Sequence, residues 1–199
     1  SLIGMLRWMV ELGQIDICLE VSMMSSHLAM LREGHMAEVL RIFAHLRKCH
    51  NTELVFDPSN PVVDELVFEQ RDWTSSEFGH VQGKEEIPTN MPKSRGIGFV
   101  MRAKVDADHA GNKVTRRSQT GILIYLNKAP ITWYSKAQKT VESSTFGSEF
   151  VALRIATELI KGLRYKLRMF GVPIEGPANV LVDNDTVVKN STIPSSTLP

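Results

Sequence analysis

The chain has 199 residues, with 23 Lys+Arg against 22 Asp+Glu for a formal net charge of +1, and 43% hydrophobic against 23% charged residues. That balance excludes a wholly disordered chain, which would be poor in apolar residues and strongly charged, and it excludes a nucleic-acid binder that works by bulk charge. The length suffices for one or two domains with a sizeable core.

Residues 1–50 read as three short amphipathic helices. Leu2, Leu6, Met9 and Val10 recur at helical spacing, as do Ile17, Val21, Met24, Leu28 and Leu31. A third helix, His35–Lys48, puts Met36, Val39, Leu40, Phe43 and Leu46 on one face. A short strand, Leu54–Phe56, is expected before Asp57-Pro58. Residues 57–96 are punctuated by Pro58, Pro61, Pro88 and Pro92, with Phe68 and Trp73 as scattered anchors, and read as an irregular linker between two structural units.

From Ile97 the period changes to two. Ile97, Phe99, Met101, Ala103 and Val105 alternate with Gly98, Val100, Arg102 and Lys104, which predicts a first strand. Gly121–Leu126 and Pro130–Ser135 predict a second and a third, joined by a hairpin through Asn127-Lys128-Ala129. A long helix follows over Thr145–Phe170, capped by Ser144 or Thr145 and ended by Gly171 and Pro173. A fourth strand, Asn179–Val182, and a short helical start, Thr186–Lys189, complete the pattern. The order predicts an α/β fold: three antiparallel strands extended through a crossover helix by a fourth. The expected organisation is a helical connector over 1–56, a linker over 57–96 and an α/β domain over 97–199.

Three acidic residues stand where this pattern gathers them. Asp106 ends the first strand, Glu149 lies in the first turn of the long helix, and Asp183 ends the fourth strand. A crossover helix packs on the sheet it connects, so its first turn can approach two neighbouring strand ends. Crowded carboxylates repel unless a cation sits between them, and hard oxygen ligands suit Mg²⁺ or Mn²⁺. Two such ions about 4 Å apart can activate a water and stabilise the leaving oxygen of a phosphodiester, which is nuclease chemistry. A plainer reading stays open: an Asp at a strand end caps a turn, and a Glu in a first helical turn complements the helix dipole.

The stretch VDADHAGNKVTRRSQTGILIYLNKAPITWYSKAQKTVESSTFGSEFVALRIATE resembles the ribonuclease H region of copia-type retrotransposon polyproteins. The likeness rests on Asp106-Ala107-Asp108-His109-Ala110-Gly111, Ser118-Gln119-Thr120-Gly121, Trp133-Tyr134-Ser135-Lys136-Ala137-Gln138, Ser143-Ser144-Thr145 through Glu149-Phe150, and Asp183-Asn184. Each piece alone is weak; the combination is specific. Residues 1–56 resemble the segment between the polymerase and ribonuclease H domains of that family, and residues 60–95 match it most loosely. The resemblance implies a ribonuclease H-like mixed sheet, metal ligation and catalysis by Asp106, Glu149 and Asp183, and Mg²⁺ or Mn²⁺ as cofactor. It implies an RNA–DNA hybrid as substrate, an upstream reverse transcriptase domain of the same polyprotein as partner, and an intracellular setting in a cytoplasmic particle or the nucleus. Asp108 shares the face of Asp106 on a strand and is the nearest competitor. Glu142 and Asp185 read as solvated or capping. No polymerase Asp-Asp motif occurs in the chain. The family's fourth metal position and its last strand and helix would lie beyond Pro199, so the expectation for this chain is weak or no cleavage.

Remaining features carry less. Lys113, Arg116 and Arg117 form a basic cluster suited to phosphate contact, and Arg154, Lys161, Arg164, Lys166 and Arg168 along the long helix suit either phosphate contact or a solvated face. His45, Cys49 and His50 lack a second ligand pair for zinc and read as a helix end. Met9, Met23, Met24, Met30 and Met36 read as helix packing. Two cysteines, Cys18 and Cys49, cannot make a disulfide scaffold and point to a reducing compartment. No run of about 18 uncharged apolar residues is present to span a membrane. Both termini, SLIGMLRWMVELG and the polar NSTIPSSTLP with no helix or strand signal, read as cut from a longer chain. The rival to a nuclease is a non-catalytic retroelement remnant, or a host-derived binding or interaction module.

Overall fold

The structure, a computed structural model, describes residues 1–62, 85, 87–174 and 176–193. Helix α1 spans Leu2–Glu11, followed by a single 3₁₀ turn at Ile15–Ile17, α2 over Cys18–Ser25 and α3 over Glu33–Lys48. Strand β1 (Met101–Asp108) pairs antiparallel with β2 (Gln119–Leu126), and β2 pairs antiparallel with β3 (Ala129–Ala137). Helix α4 (Thr145–Met169) then crosses to β4 (Asn179–Val182), which pairs parallel with β1, and α5 spans Asp185–Thr192. The sheet order is β3-β2-β1-β4, a mixed four-stranded sheet of an α/β fold.

The alternation in β1 explains its two faces. Met101, Ala103, Val105 and Ala107 are buried and pack with Ile122 and Ile124 of β2 against Ala152, Ala156 and Ile160 of α4. Two alanines on the helix face let α4 lie close on the sheet. Truncating Ile160 in this layer would cost about 2–5 kcal/mol, the usual range for a buried Ile→Ala. The opposite sheet face carries the helical segment. Ile3, Leu6, Val10, Ile17, Val21, Val39, Ile42 and Leu46 form a second apolar cluster with Trp133 of β3 packed against it. Polar contacts fix this docking. Trp133 Nε1 donates to the Val10 carbonyl at 2.9 Å, Ser22 Oγ donates to the Ser135 carbonyl at 2.8 Å, and Gln119 Nε2 donates to Ser22 Oγ at 2.9 Å.

Several sequence expectations shift. Leu54–Phe56 forms no strand: no neighbouring strand offers it a ladder among the described residues, and Val55 and Phe56 stay exposed. The second helix stops at Ser25, leaving Leu28 and Leu31 outside it and exposed. Met9 and Met24 do pack in the helical cluster, but Met23, Met30 and Met36 are exposed. Strand β1 begins at Met101 because Gly96 turns the chain at φ +92° and Ile97 is 83% exposed; Phe99 makes only an isolated bridge to Ile174. Helix α5 takes in Asn190–Thr192, from the stretch expected to be irregular, because the Asn184 cap starts a full two turns. Within 57–96 the described residues form no helix or strand, and Phe68 and Trp73 lie outside the described residues. None of the helices among the described residues is long and apolar enough to cross a membrane.

Two basic residues of α4 are neither solvated nor open to phosphate. Arg164 is buried, and its guanidinium grips Glu85 through Nε and Nη2 at 2.9 and 2.8 Å and donates to the Gly176 carbonyl. Arg168 joins on the same carboxylate. The two guanidinium groups hold the Glu85 carboxyl down at about 2.

The β2–β3 hairpin turns on Asn127, a buried residue in the left-handed region at φ +55°. Its N–H donates to the Val100 carbonyl at 2.8 Å, its side-chain oxygen accepts from Val100 N–H at 3.0 Å, and its amide donates to the Pro58 carbonyl at 2.7 Å. Asn127→Ala removes both side-chain bonds and adds left-handed strain. We expect a loss of about 2–3 kcal/mol, a fall in thermal midpoint of roughly 5–10 °C for a chain of this size, with Asn127→Gly losing less because glycine tolerates the backbone. Circular-dichroism melts check the ranking, and equal midpoints for wild type and Asn127→Ala would refute it.

Candidate metal centre

The parallel pairing of β1 with β4 runs from Arg102↔Asn179 to Val105↔Val182. The next residues along the two strands are Asp106 and Asp183, so two carboxylates stand side by side at the C-terminal end of a parallel pair. The ladder stops there. Asn184 caps α5 by accepting from the Thr186 and Val187 N–H groups, which turns the chain away from β1 immediately after Asp183. A crevice outside the carboxyl ends of parallel strands is the place where open α/β sheets bind ligands.

Glu149 reaches this crevice from α4. Ser144 caps the helix by accepting from Gly147 N–H at 3.1 Å. Glu149 then lies on the same stripe as Ala152, Ala156 and Ile160, the face packed on the sheet. A buried polar network pins the start of the helix: Gln138 Nε2 donates to Thr120 Oγ1 at 3.0 Å and to the Ser148 carbonyl at 2.8 Å, and Gln138 N–H donates to the Ser118 carbonyl. Sequence reasoning noted Gln138 only within a motif; its role in fixing the first turn of α4 to β2 needed the fold.

The structure brings Asp106, Glu149 and Asp183 together: one oxygen of each lies within 4.8 Å of the others. Asp106 and Asp183 are exposed, and Glu149 is 7% exposed. Glu149 Oε2 is buried and has no hydrogen-bond partner. Burial, then the charges of Asp106 and Asp183, push the Glu149 carboxyl up to about 7, with a main-chain hydrogen bond from Ala107 opposing the shift. Three carboxylates converging in this way, one of them buried with an unsatisfied oxygen, fit the donor set of a hard divalent cation such as Mg²⁺ or Mn²⁺, and an ion among them would relieve the repulsion.

The other acidic residues stay apart from the cluster. The Asp108 carboxylate lies against Gly111, where a Cβ would come within 1.9 Å of Oδ2, and is turned into the loop after β1. Asp185 pairs with Lys189 at 3.0 Å, and the Glu142 side chain lies beside Gly147. Lys113, Arg116 and Arg117 are exposed on the loop between β1 and β2, which Asn112 organises by accepting from the Val114 and Thr115 N–H groups. His45 Nε2 sits 2.7 Å from Asp16 Oδ2, with Cys49 Sγ 4.0 Å from Nδ1.

Comparison with known proteins gives partial matches. The chain is 30% identical over 90 residues, 45% of its length, to the retrovirus-related Pol polyprotein from transposon RE1 of Arabidopsis thaliana, and 39% identical over 57 residues, 29% of its length, to that from transposon TNT 1-94 of Nicotiana tabacum. It is 45% identical over 53 residues, 27% of its length, to the secreted RxLR effector protein 161 of Plasmopara viticola. The matched part spans 6% of the first, 4% of the second and 37% of the third. The likeness supports a piece of a retrotransposon Pol polyprotein. No family model matches the chain, and no solved structure matches it.

The raised Glu149 sets a pH signature. Its folded value of about 7 lies above the ordinary 4.5, so the folded state holds the proton more tightly than the unfolded one. Stability from this group is therefore present below 4.5 and is lost as pH rises through 7. In EDTA, Glu149→Gln should raise the thermal midpoint at pH 8 by roughly 3–8 °C and change it far less at pH 5. Equal midpoints at pH 8 would show that the carboxylate is not under strain.

Proposed function

We propose that the chain is part of a copia-type retrotransposon Pol polyprotein and carries a ribonuclease H-like domain that cleaves the RNA strand of RNA–DNA hybrids with two Mg²⁺ or Mn²⁺ ions. The observation that carries this reading is the convergence of Asp106, Glu149 and Asp183 within 4.8 Å at the ends of β1 and β4. The likeness to retrovirus-related Pol polyproteins of two plants supports it independently. In this reading residues 1–56 are a helical connector following a reverse transcriptase domain, 57–96 a linker and 97–199 the nuclease domain, working inside the cell in a particle or the nucleus.

Each residue has a stated task. Asp106, Glu149 and Asp183 hold the cations, which supply activation of the attacking water and charge stabilisation of the leaving oxygen. Glu149 must lose its proton to serve as a ligand, so cation affinity weakens as pH falls below about 7. Gln138 holds the first turn of α4 so that Glu149 faces the two aspartates. Lys113, Arg116 and Arg117 reach phosphates of the hybrid from the exposed loop. The second reading is a non-catalytic retroelement remnant or a host-derived binding or interaction module, and the chain's partial likeness to a protein outside the Pol polyproteins is consistent with it.

Two measurements separate these readings. Millimolar Mn²⁺ should raise the thermal midpoint, by about 2.7 kcal/mol of stabilisation when the cation stands at 100 times its Kd, and Asp106→Asn should abolish the shift. Release of RNA fragments from a 5′-labelled RNA–DNA hybrid, expected to be weak for this chain, should require Mg²⁺ or Mn²⁺, and Asp183→Asn should slow it on the order of 100-fold, the usual loss of one electrostatic group from a reaction centre. An Mn²⁺ shift that survives Asp106→Asn, or cleavage indifferent to Asp183→Asn, would sink the nuclease assignment.

A further inference from the structure

The nuclease reading makes no use of the last turn of α3. There Cys49 Sγ lies 4.0 Å from His45 Nδ1, and His45 Nε2 lies 2.7 Å from Asp16 Oδ2. Cys49 and His45 are four residues apart on one helix, but Asp16 stands 29 residues from His45, in the 3₁₀ turn before α2. The row of thiol, imidazole and carboxylate therefore exists only in the folded chain. Asp16 is an anion fixed in place: burial raises its carboxyl, but hydrogen bonds from His45 and Gln14 outweigh that and hold it below its ordinary value. Gln14 Nε2 donates to Asp16 Oδ1 at 2.7 Å, which leaves Oδ2 to face the imidazole. A neutral imidazole carries one proton. The carboxylate takes that N–H on Nε2, so Nδ1 is the acceptor that faces the thiol. The main chain of Cys49 is tied on both sides: its N–H donates to the His45 carbonyl at 2.8 Å, and its carbonyl accepts from Thr52 Oγ1 at 2.5 Å.

The other cysteine provides the contrast. Cys18 opens α2, where burial, then the charges of Glu11 and Glu20, push its thiol up. No hydrogen bond from an imidazole reaches it among the described residues. Access and neighbouring charge, rather than the sulfur alone, decide which cysteine reacts. Cys49 is partly open to solvent, and Arg47 and Lys48 beside it are exposed cations that attract carboxylates. The carbonyl end of a helix offers an anion no help, so reaction at this sulfur rests on His45.

We infer that Cys49 is a modification site: an accessible thiol with His45 as its base and Asp16 as the residue that positions that base, forming a mixed disulfide with a small disulfide that carries carboxylates. A nucleophile with a base, and the base with a holder, is the general arrangement for thiol attack. The thiol proton passes to His45 Nδ1, the thiolate attacks one sulfur of the disulfide, and a new S–S bond forms as the old one breaks. The departing thiolate takes the proton from the imidazolium, so one thiol is oxidised and one half of the disulfide is reduced. Exchange with free thiol reverses the step. The site is independent of the nuclease reading and lies in the helical segment.

The probe is oxidised glutathione, read by intact mass and peptide mapping near neutral pH. Two chains are compared: Cys18→Ser, which keeps Cys49, and Cys49→Ser, which keeps Cys18. Cys49 should react at least about 10-fold faster than Cys18, and about 10-fold faster than it does itself in the urea-unfolded chain. That gain lies below the roughly 100-fold of a fully positioned general base, because the 4.0 Å separation is loose. In the Cys18→Ser chain, His45→Ala should remove the gain and added imidazole should restore part of it. Asp16→Asn should slow Cys49 while His45 is present and have no further effect in His45→Ala, the mark of two residues acting as one unit. Dithiothreitol should release the glutathione. Circular-dichroism melts establish that each variant is folded. A folded-state rate for Cys49 no higher than in urea, or one left unchanged by His45→Ala, overturns the inference. If His45→Ala fails to fold, His45→Gln decides: a slowed Cys49 upholds the inference, and an unchanged rate overturns it. Cleavage or silence towards an RNA–DNA hybrid moves none of these outcomes.

Discussion

Three carboxylates held within 4.8 Å of one another repel, and every element around them acts against that repulsion. The parallel ladder of β1 and β4 fixes two of them in register, one residue past its last pair, Val105↔Val182. The third is carried on a helix whose neighbouring alanines and Ile160 are buried in the main core, so it cannot swing away without disrupting that layer. Gln138 ties the start of the same helix to β2 through two hydrogen bonds from one nitrogen. The cost shows in Glu149, which keeps its proton to about 7 because burial and two like charges disfavour the anion. Holding such a cluster with one buried oxygen unsatisfied costs stability, and strongly perturbed carboxyl groups of this kind concentrate at functional sites.

The sheet and the helical segment share more than a chain connection. Trp133, Ser135 and Gln119 on the sheet each use a polar atom to meet α1 or α2, and the apolar cluster of the three N-terminal helices closes over Trp133. The sheet face that bears Asp106 is therefore bounded on one side by helix α2, and the Asp106 end of the sheet opens into a groove rather than onto a flat surface. On the other sheet face, α4 contributes both the core stripe and, through Arg164 and Arg168, an anchor for Glu85.

Much of this was legible in the amino-acid order. The two-residue period of β1, the turn at Asn127 and the cap at Ser144 are local signals, and the strands and long helix fall within a few residues of where those signals put them. The three carboxylates were legible for a related reason: each sits at an element end, and the crossover connection leaves few ways to arrange those ends. The failures share a cause as well. Leu54–Phe56 has strand-like residues without a partner strand, and Leu28 and Leu31 have helical spacing without a surface to bury against. Arg164 read as a surface charge because nothing in the sequence tells it to pair with Glu85, far away along the chain.

The order in which these parts can form follows from the sheet. The β1–β2 and β2–β3 pairings join neighbours in sequence and need only short loops to close. Pairing β1 with β4 must wait for β2, β3 and all of α4, so it is the longest closure in the sheet and the slowest kind to make. Asp106 and Asp183 meet only through that last pairing. A chain emerging from a ribosome can thus complete its hairpins and dock its N-terminal helices while its acidic centre is still in two halves. The cluster of three carboxylates would then be complete only with the last pairing of the sheet.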